Sequence, residues 1–419
     1  MTQWYNGKVF FTRLAQIVVG ITFLFSGIVK GIDPMGTAIK IGEYAGVVSI
    51  SLPNNLALIV SFLLITLEFV LGVALIIGYR PQISRWILLV LMAFMTIVTL
   101  YIYLFEPVAD CGCFGDALVI SNATTFYKNI VLLCLSSALF FCADCWYHWL
   151  PVDYADKAVA ISVVVISGFN ATNIHQLPVI DFRPYKIGSD LMELTQSGGT
   201  EGEYDYRFVY SKDGHEQIFT LDQLQEVDST WVFVRDETIE ITKAEQPLGS
   251  DFVLVRDDGT NAVESIAYEG QNTLLLISPN IREVSPKRLT KILDSGLPFS
   301  LAMGNSDEIW ANEEYQSLEH RFVEVYQLDN TTAKTVIRSN PGLVVISGGK
   351  IVNKISGDVL TNLVKNPDFL SDPYQYQDHR DEVFRYVITF GWHVLLALSI
   401  VIAGIYYRIE NRNNKIRKE

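Results

Sequence analysis

Six apolar runs of about twenty residues constrain this chain more than any other feature. At roughly 1.5 Å per residue, each is long enough to cross the roughly 30 Å hydrocarbon layer of a bilayer. They cover residues 9–29, 56–78, 83–105, 124–142, 158–174 and 387–407. Half of the 419 residues are hydrophobic and only 19% are charged, a balance that belongs to the membrane class rather than to soluble globular chains. The first run is full length and lacks a small-residue cleavage site before a polar mature start, so it reads as an uncleaved signal anchor.

Basic residues set the expected orientation. Lys8 and Arg13 stand at the first run, Arg80 and Arg85 in the second connection, Lys157 before the fifth run, and Arg408, Arg412, Lys415, Arg417 and Lys418 after the sixth. Six crossings put all of these on one side, which makes both termini cytoplasmic. The Cys111 loop and residues 176–385 then face the periplasm of a bacterial inner membrane. The charge agrees with this division. Residues 181–385 hold 35 of the 46 acidic side chains and 19 of the 32 basic ones, so the acidity belongs to the soluble part. A domain so acidic offers no basic stripe for phosphates, which excludes nucleic acid as a partner. The lipid bilayer is one partner; a periplasmic or secreted protein, or other subunits of an envelope complex, is the expected other.

The chemistry is concentrated in Asp110-Cys111-Gly112-Cys113-Phe114-Gly115-Asp116, a short loop between two apolar runs. Two of the five cysteines sit one residue apart, with a glycine between them that permits a tight backbone. Such a pair closes a small, strained disulfide suited to an oxidant or relay; the competing reading is a structural clamp. Asp110 and Asp116 are expected to raise the thiol pKa values. Two thiolates without a nearby histidine make no metal site. Glu68, well inside the second run, costs a few kcal/mol if ionised there and unpaired. It is expected to be protonated or paired with Lys30, Lys128 or Arg13, serving as a proton relay, a quinone contact or an interhelical hydrogen bond. Cys134, Cys142 and Cys145 read as packing residues at the other end of the fourth run, where Trp146, Tyr147 and Trp149 form an interfacial belt.

Phe25-Ser26-Gly27 with Lys30 and Asp33-Pro34, Leu67-Glu68 with Gly72 and Ile77-Gly78, and Cys111-Gly112-Cys113-Phe114-Gly115 resemble the DoxX and MauE group of four-helix membrane proteins over residues 1–150. That resemblance implies a redox bundle near quinones or periplasmic thiols, with Cys111, Cys113 and Glu68 as catalytic residues and Lys30 and Lys128 toward a quinone. It is loosely similar to the vitamin K epoxide reductase architecture too, but no second cysteine pair faces the same side of the membrane.

The remaining chain divides into a fifth span and exit segment (151–180), a β-rich subdomain (181–246), an α/β stretch (247–370), and a linker, last span and basic tail (371–419). In the β-rich part, strands at 204–210 and 216–220 flank Lys212-Asp213-Gly214, a hairpin turn, and strand-like residues follow at 231–242. A strand and turn are expected at 251–259, strands at 273–278, 299–304, 322–326, 343–347 and 350–355, and helices at 286–295, 307–319 and 332–339. This order resembles a thioredoxin-like domain of the TlpA kind, with Pro341 as its cis-proline; the competing reading is an ordinary turn proline. Where that family carries its active cysteines, this chain has Ser278-Pro279-Asn280-Ile281, and no cysteine follows Cys145. Such a domain exchanges no disulfides, and what the resemblance leaves is a peptide groove at Pro341, Ser278 and Asn280. The fold class is therefore an α-helical membrane bundle, a four-helix DoxX-like core plus two further helices, carrying an extracytoplasmic α/β thioredoxin-like domain and a small β-rich subdomain. Two functions follow: a quinone-linked membrane thiol oxidoreductase, or a non-catalytic subunit of an envelope folding or secretion complex.

Overall fold

The computed structural model describes residues 2–47, 49–108, 111–196, 203–212, 215–220, 231–242, 251–268, 270–304, 313–376 and, beyond these, 391, 393, 394, 397, 400, 401, 404, 405 and 407. The chain divides into two compact units: residues 1–183 with 355–363 and 376–419, and residues 184–354 with 364–375.

The first unit holds helices α1 (Thr2–Ile32), α2 (Pro34–Val47), α3 (Asn54–Ile77), α4 (Pro81–Phe105), α5 (Asn122–Phe141) and α6 (Val152–His175). All but α2 are long and apolar enough to cross a membrane, so the chain is a multi-pass membrane protein. Of the sixth expected span, most residues lie outside the described ones. Those described between 391 and 407 are helical, and Ile400 packs against a core built from α1, α3 and α6. The His393 ring stands edge-on to Phe69 and Phe169, at 5.6 and 4.9 Å between centroids. No apolar run announced α2, which at 14 residues is too short to span.

Helix α3 is central because its buried positions, Ala57, Ser61, Ile65, Glu68 and Gly72, recur every three to four residues on one face. From Phe69 to Ile77 the burial extends nearly all round. Its approach to α1 is backbone to backbone. A Cβ on Gly27 would lie 2.8 Å from the Phe69 nitrogen, and one on Gly72 would lie 2.6 Å from the Leu24 nitrogen. Small residues at such a seam are how membrane helices come close, and the closeness lets side chains of α1 reach Glu68. Gly72→Val is therefore expected to force α1 and α3 apart and cost about 3 kcal/mol or more, read as earlier unfolding in a detergent titration; an unchanged midpoint would show that the seam relaxes freely. At its last turn α3 ends on Gly78, in the left-handed region at φ +73°. Its terminal carbonyls accept from Arg13 Nη1 (2.7 Å, Ile76), Gln16 Nε2 (3.3 Å, Leu75) and the Trp149 amide (2.9 Å, Ile77).

The second unit opens with α7 (Leu191–Gln196), followed by β1 (Glu203–Lys212), β2 (His215–Thr220) and β3 (Val232–Thr242) in an antiparallel sheet of order β2-β1-β3. Lys212 faces His215 across the first pair, which puts the expected hairpin turn on residues 213 and 214, outside the described residues. Next come α8 (Val263–Ile266), β4 (Asn272–Ser278), α9 (Pro286–Leu293), β5 (Phe299–Met303), α10 (Glu313–Glu319), β6 (Val325–Gln327), α11 (Asn330–Val336), β7 (Gly342–Ser347) and β8 (Lys350–Ser356); α12 (Gly357–Leu363) belongs to the first unit, and α13 (Pro367–Ser371) returns to the second. The strands form one mixed sheet of order β6-β5-β4-β7-β8, with β4, β5 and β6 parallel and β7 antiparallel to β4. β4, β5 and β7 are almost wholly buried, as their unbroken apolar runs require. Of the strand and turn expected at 251–259, the turn forms, with the Gly259 amide donating to the Arg256 carbonyl at 2.9 Å and Gly259 at φ +82°, but the strand does not. Phe252 and Leu254 alternate into the core, but only Val255 makes bridges, to Asn261 and Gln327. The Asn340–Pro341 bond is cis, as expected of Pro341.

Candidate functional site

The loop before α5 brings the two thiols together. Gly112 and Gly115 adopt φ +58° and +55°, and the Gly115 amide donates to the Gly112 carbonyl at 3.0 Å. That turn sets Cys111 Sγ 2.9 Å from Cys113 Sγ, both unbonded thiols; a disulfide needs about 2.05 Å. The loop is held from two helices. Ser26 Oγ of α1 lies 3.0 Å from the Cys113 carbonyl, and the Tyr44 hydroxyl of α2 donates to the Cys111 carbonyl.

Beneath the loop lies a buried ion pair. Lys30 Nζ is 2.6 Å from Glu68 Oε1, with both side chains about 5% exposed. Ser26 Oγ is also 2.8 Å from Glu68 Oε2. A hydroxyl has one proton, so Ser26 donates either to Glu68 or to the Cys113 carbonyl, coupling the ion pair to the loop. Of the three basic residues open to Glu68, the fold selects Lys30; Arg13 caps α3 instead. Lys128 of α5 lies 4.2 Å from the Phe114 ring centroid, a cation–π contact, and Phe114 packs edge-on to Phe25 at 5.5 Å. Asn129 Nδ2 donates to Thr99 Oγ1 at 3.1 Å. A cavity of about 40 Å³ connects these groups, bounded among others by Ser26, Lys30, Glu68, Cys113, Lys128 and Met95.

The electrostatics split the two thiols. The Cys111 S–H donates to Cys113 and pulls its pKa down to about 6 against the cost of burial, with Lys128 and then Lys30 assisting and Glu68 opposing. Cys111 is pushed well up by the same contact, by burial and by the Cys113 charge. For Cys113 this corrects the expectation built on the flanking aspartates: the controlling groups are the neighbouring thiol and cations from distant helices. Asp110 lies outside the described residues.

Other cysteines take no part. Cys134 is exposed on α5 rather than packed, and Cys142 and Cys145 are free at the turn that ends α5. Among the described residues no group of three or more His, Cys, Asp or Glu side chains could hold a metal. In the second unit Ser278 and Asn280 are joined through Asn340, the residue before Pro341. Ser278 Oγ donates to Asn340 Oδ1 at 2.6 Å, and Asn340 Nδ2 donates to the Asn280 carbonyl at 2.7 Å, beside cis-Pro341. Sequence reasoning named Ser26 only within the Phe25-Ser26-Gly27 motif, without a site role, and missed Tyr44 and Asn340. Only Ser26 carried a signal, four residues before Lys30 on the same helix face.

These features define a multi-pass membrane protein with a dithiol set over a buried ion pair. Residues 8–142, which include α3 to α5, most of α1 and the cysteine loop, match the family model of the methylamine utilisation protein MauE, and so form a MauE-family membrane domain. Residues 204–243, the three-stranded sheet, match a domain of unknown function, DUF8463. Neither match reaches the five-stranded sheet. No curated protein and no solved structure matches the chain.

Proposed function

We propose that the membrane unit is a thiol–disulfide exchange centre in which Cys111 and Cys113 cycle between dithiol and disulfide at the outer membrane face. The observation that carries this reading is the pair of free sulfurs 2.9 Å apart beside two lysines. Exchange requires a thiolate to attack and a second thiol to resolve the mixed disulfide. Lys128 and Lys30 balance the Cys113 thiolate. Glu68 neutralises Lys30 inside the bilayer, where a lone charge is costly, and Ser26 transmits the state of that pair to the loop. As a partner disulfide becomes two thiols the pair becomes a disulfide, or the reverse, so atoms and electrons balance within the exchange.

The quinone that the family resemblance implies, toward Lys30 and Lys128, is a poorer fit. A cavity of about 40 Å³ accepts about three waters, whereas even benzene occupies an apolar cavity of about 150 Å³.

The second unit reads as a thioredoxin-like binding module. Support comes from the β6-β5-β4-β7-β8 order, the place of Pro341 immediately before β7 and the polar pair Ser278 and Asn340 where a thiol pair is absent. Such a module binds a periplasmic or secreted protein. In this reading the basic-residue count places residues 176–385 and the Cys111 loop on the periplasmic side of the inner membrane, with both termini cytoplasmic.

The test is the redox state of Cys111 and Cys113 in native membranes, by alkylation mass shift with and without prior reduction. The pair is expected to be partly oxidised and to shift with added dithiothreitol or glutathione disulfide. A pair that stays reduced under both would sink the exchange reading and leave the loop a structural turn.

A further inference from the structure

We infer that the two sulfurs have fixed and different roles: Cys113 is the sulfur that exchanges with the partner, Cys111 is the resolving thiol, and the partner group is the tip of a cysteine side chain. This assignment rests on the exchange reading above and adds direction to it.

The geometry is asymmetric. Cys113 is half-buried and lines the cavity, with Lys30, Lys128 and Glu68 around the same space. Cys111 is 6% exposed and is not part of the cavity wall. Helix α2 roofs it: the Tyr44 hydroxyl holds its carbonyl, and at the next residue a Cβ on Gly112 would come 3.1 Å from Lys40 Cγ. An incoming sulfur therefore reaches Cys113 first. The small space beside it suits a CH₂–S group, and the two ammonium groups favour an anionic one. The same asymmetry appears in the thiols, with Cys113 the easier to ionise.

The sequence of bonds follows. The Cys113 thiolate attacks a partner disulfide, forming Cys113–S–S–R and releasing the other partner sulfur as a thiolate. That thiolate takes the Cys111 proton. Cys111, 2.9 Å away, then attacks Cys113 Sγ and expels the second partner thiolate. The partner is reduced by two electrons and the pair is oxidised by two.

The experiment uses the full-length protein in nanodiscs with glutathione as the probe. Wild type is oxidised with glutathione disulfide, exposed briefly to reduced glutathione, quenched with maleimide and mapped by tandem mass spectrometry. Among chains with one glutathione on the loop, the adduct is expected on Cys113 with maleimide on Cys111, by about tenfold or more. In parallel, Cys111→Ser is expected to form a stable glutathione adduct with glutathione disulfide about tenfold faster than Cys113→Ser. Adducts divided evenly, or mostly on Cys111, overturn the assignment while leaving exchange intact. Wild type that never closes the Cys111–Cys113 bond removes the exchange reading itself. The wild-type mapping needs no variant to fold.

Discussion

Glu68→Gln is expected to destabilise the membrane unit by about 3–5 kcal/mol, because it leaves the Lys30 ammonium buried without a counter-charge. The pair is nearly solvent-free, with Nζ 2.6 Å from Oε1, and α1 and α3 meet backbone to backbone at Gly27 and Gly72. Lys30→Met should cost a similar amount for the mirrored reason. The double variant Lys30→Met with Glu68→Leu is expected to recover most of the loss, since it removes both desolvation costs and fills the space with apolar atoms. Unfolding midpoints in a detergent titration, arranged as a double-mutant cycle, give the coupling. If the single variants unfold where wild type does, the pair contributes no stability. If the double variant keeps stability but loses disulfide cycling, the pair serves the chemistry through Ser26 rather than the packing.

What could be read from the sequence follows a physical rule: features written in consecutive residues are legible, and features assembled from distant ones are not. Five spans were legible because length and hydropathy alone decide a crossing. Glu68 was legible as a lone acid in an apolar run, but its partner was not. Lys30, Lys128 and Arg13 were equal in sequence, and the choice was made by the glycine seam that brings α1 against α3. The cysteine pair was legible; its electrostatics were misread, because the aspartates are adjacent in sequence while Lys128 and Lys30 arrive from α5 and α1. The 251–259 stretch shows the converse failure. Its alternation is real, with Phe252 and Leu254 buried, but alternation reports a buried face and not a hydrogen-bonded ladder, and only Val255 finds a neighbour. Pro341 succeeded because its place between a helix and a buried strand is local information.

Lys128→Met is expected to slow alkylation of Cys113 by about fivefold at pH 6 and by about tenfold below pH 5, an effect worth roughly one pKa unit. In wild type the thiol titrates at about 6, so the reactive thiolate dominates at neutral pH and declines as pH falls through that value. Removing the Lys128 cation disfavours the anion and moves the midpoint up, while at pH 9 and above the two proteins should converge because both are ionised. Lys128→Arg keeps the charge and should keep the profile. Glu68→Gln is expected to move the midpoint the other way, since the Glu68 charge opposes the thiolate. The measurement is the iodoacetamide rate at Cys113 against pH, by mass spectrometry, in Cys111-containing protein so that the donating thiol is retained. Lys128 also sits over the Phe114 ring, so a purely packing role is the rival account, and the two separate cleanly. Lost packing slows labelling equally at every pH or not at all, whereas a lost counter-ion moves the midpoint. A profile in Lys128→Met that overlays wild type would remove Lys128 from the thiolate's environment and leave the Cys111 hydrogen bond as the main source of the low pKa.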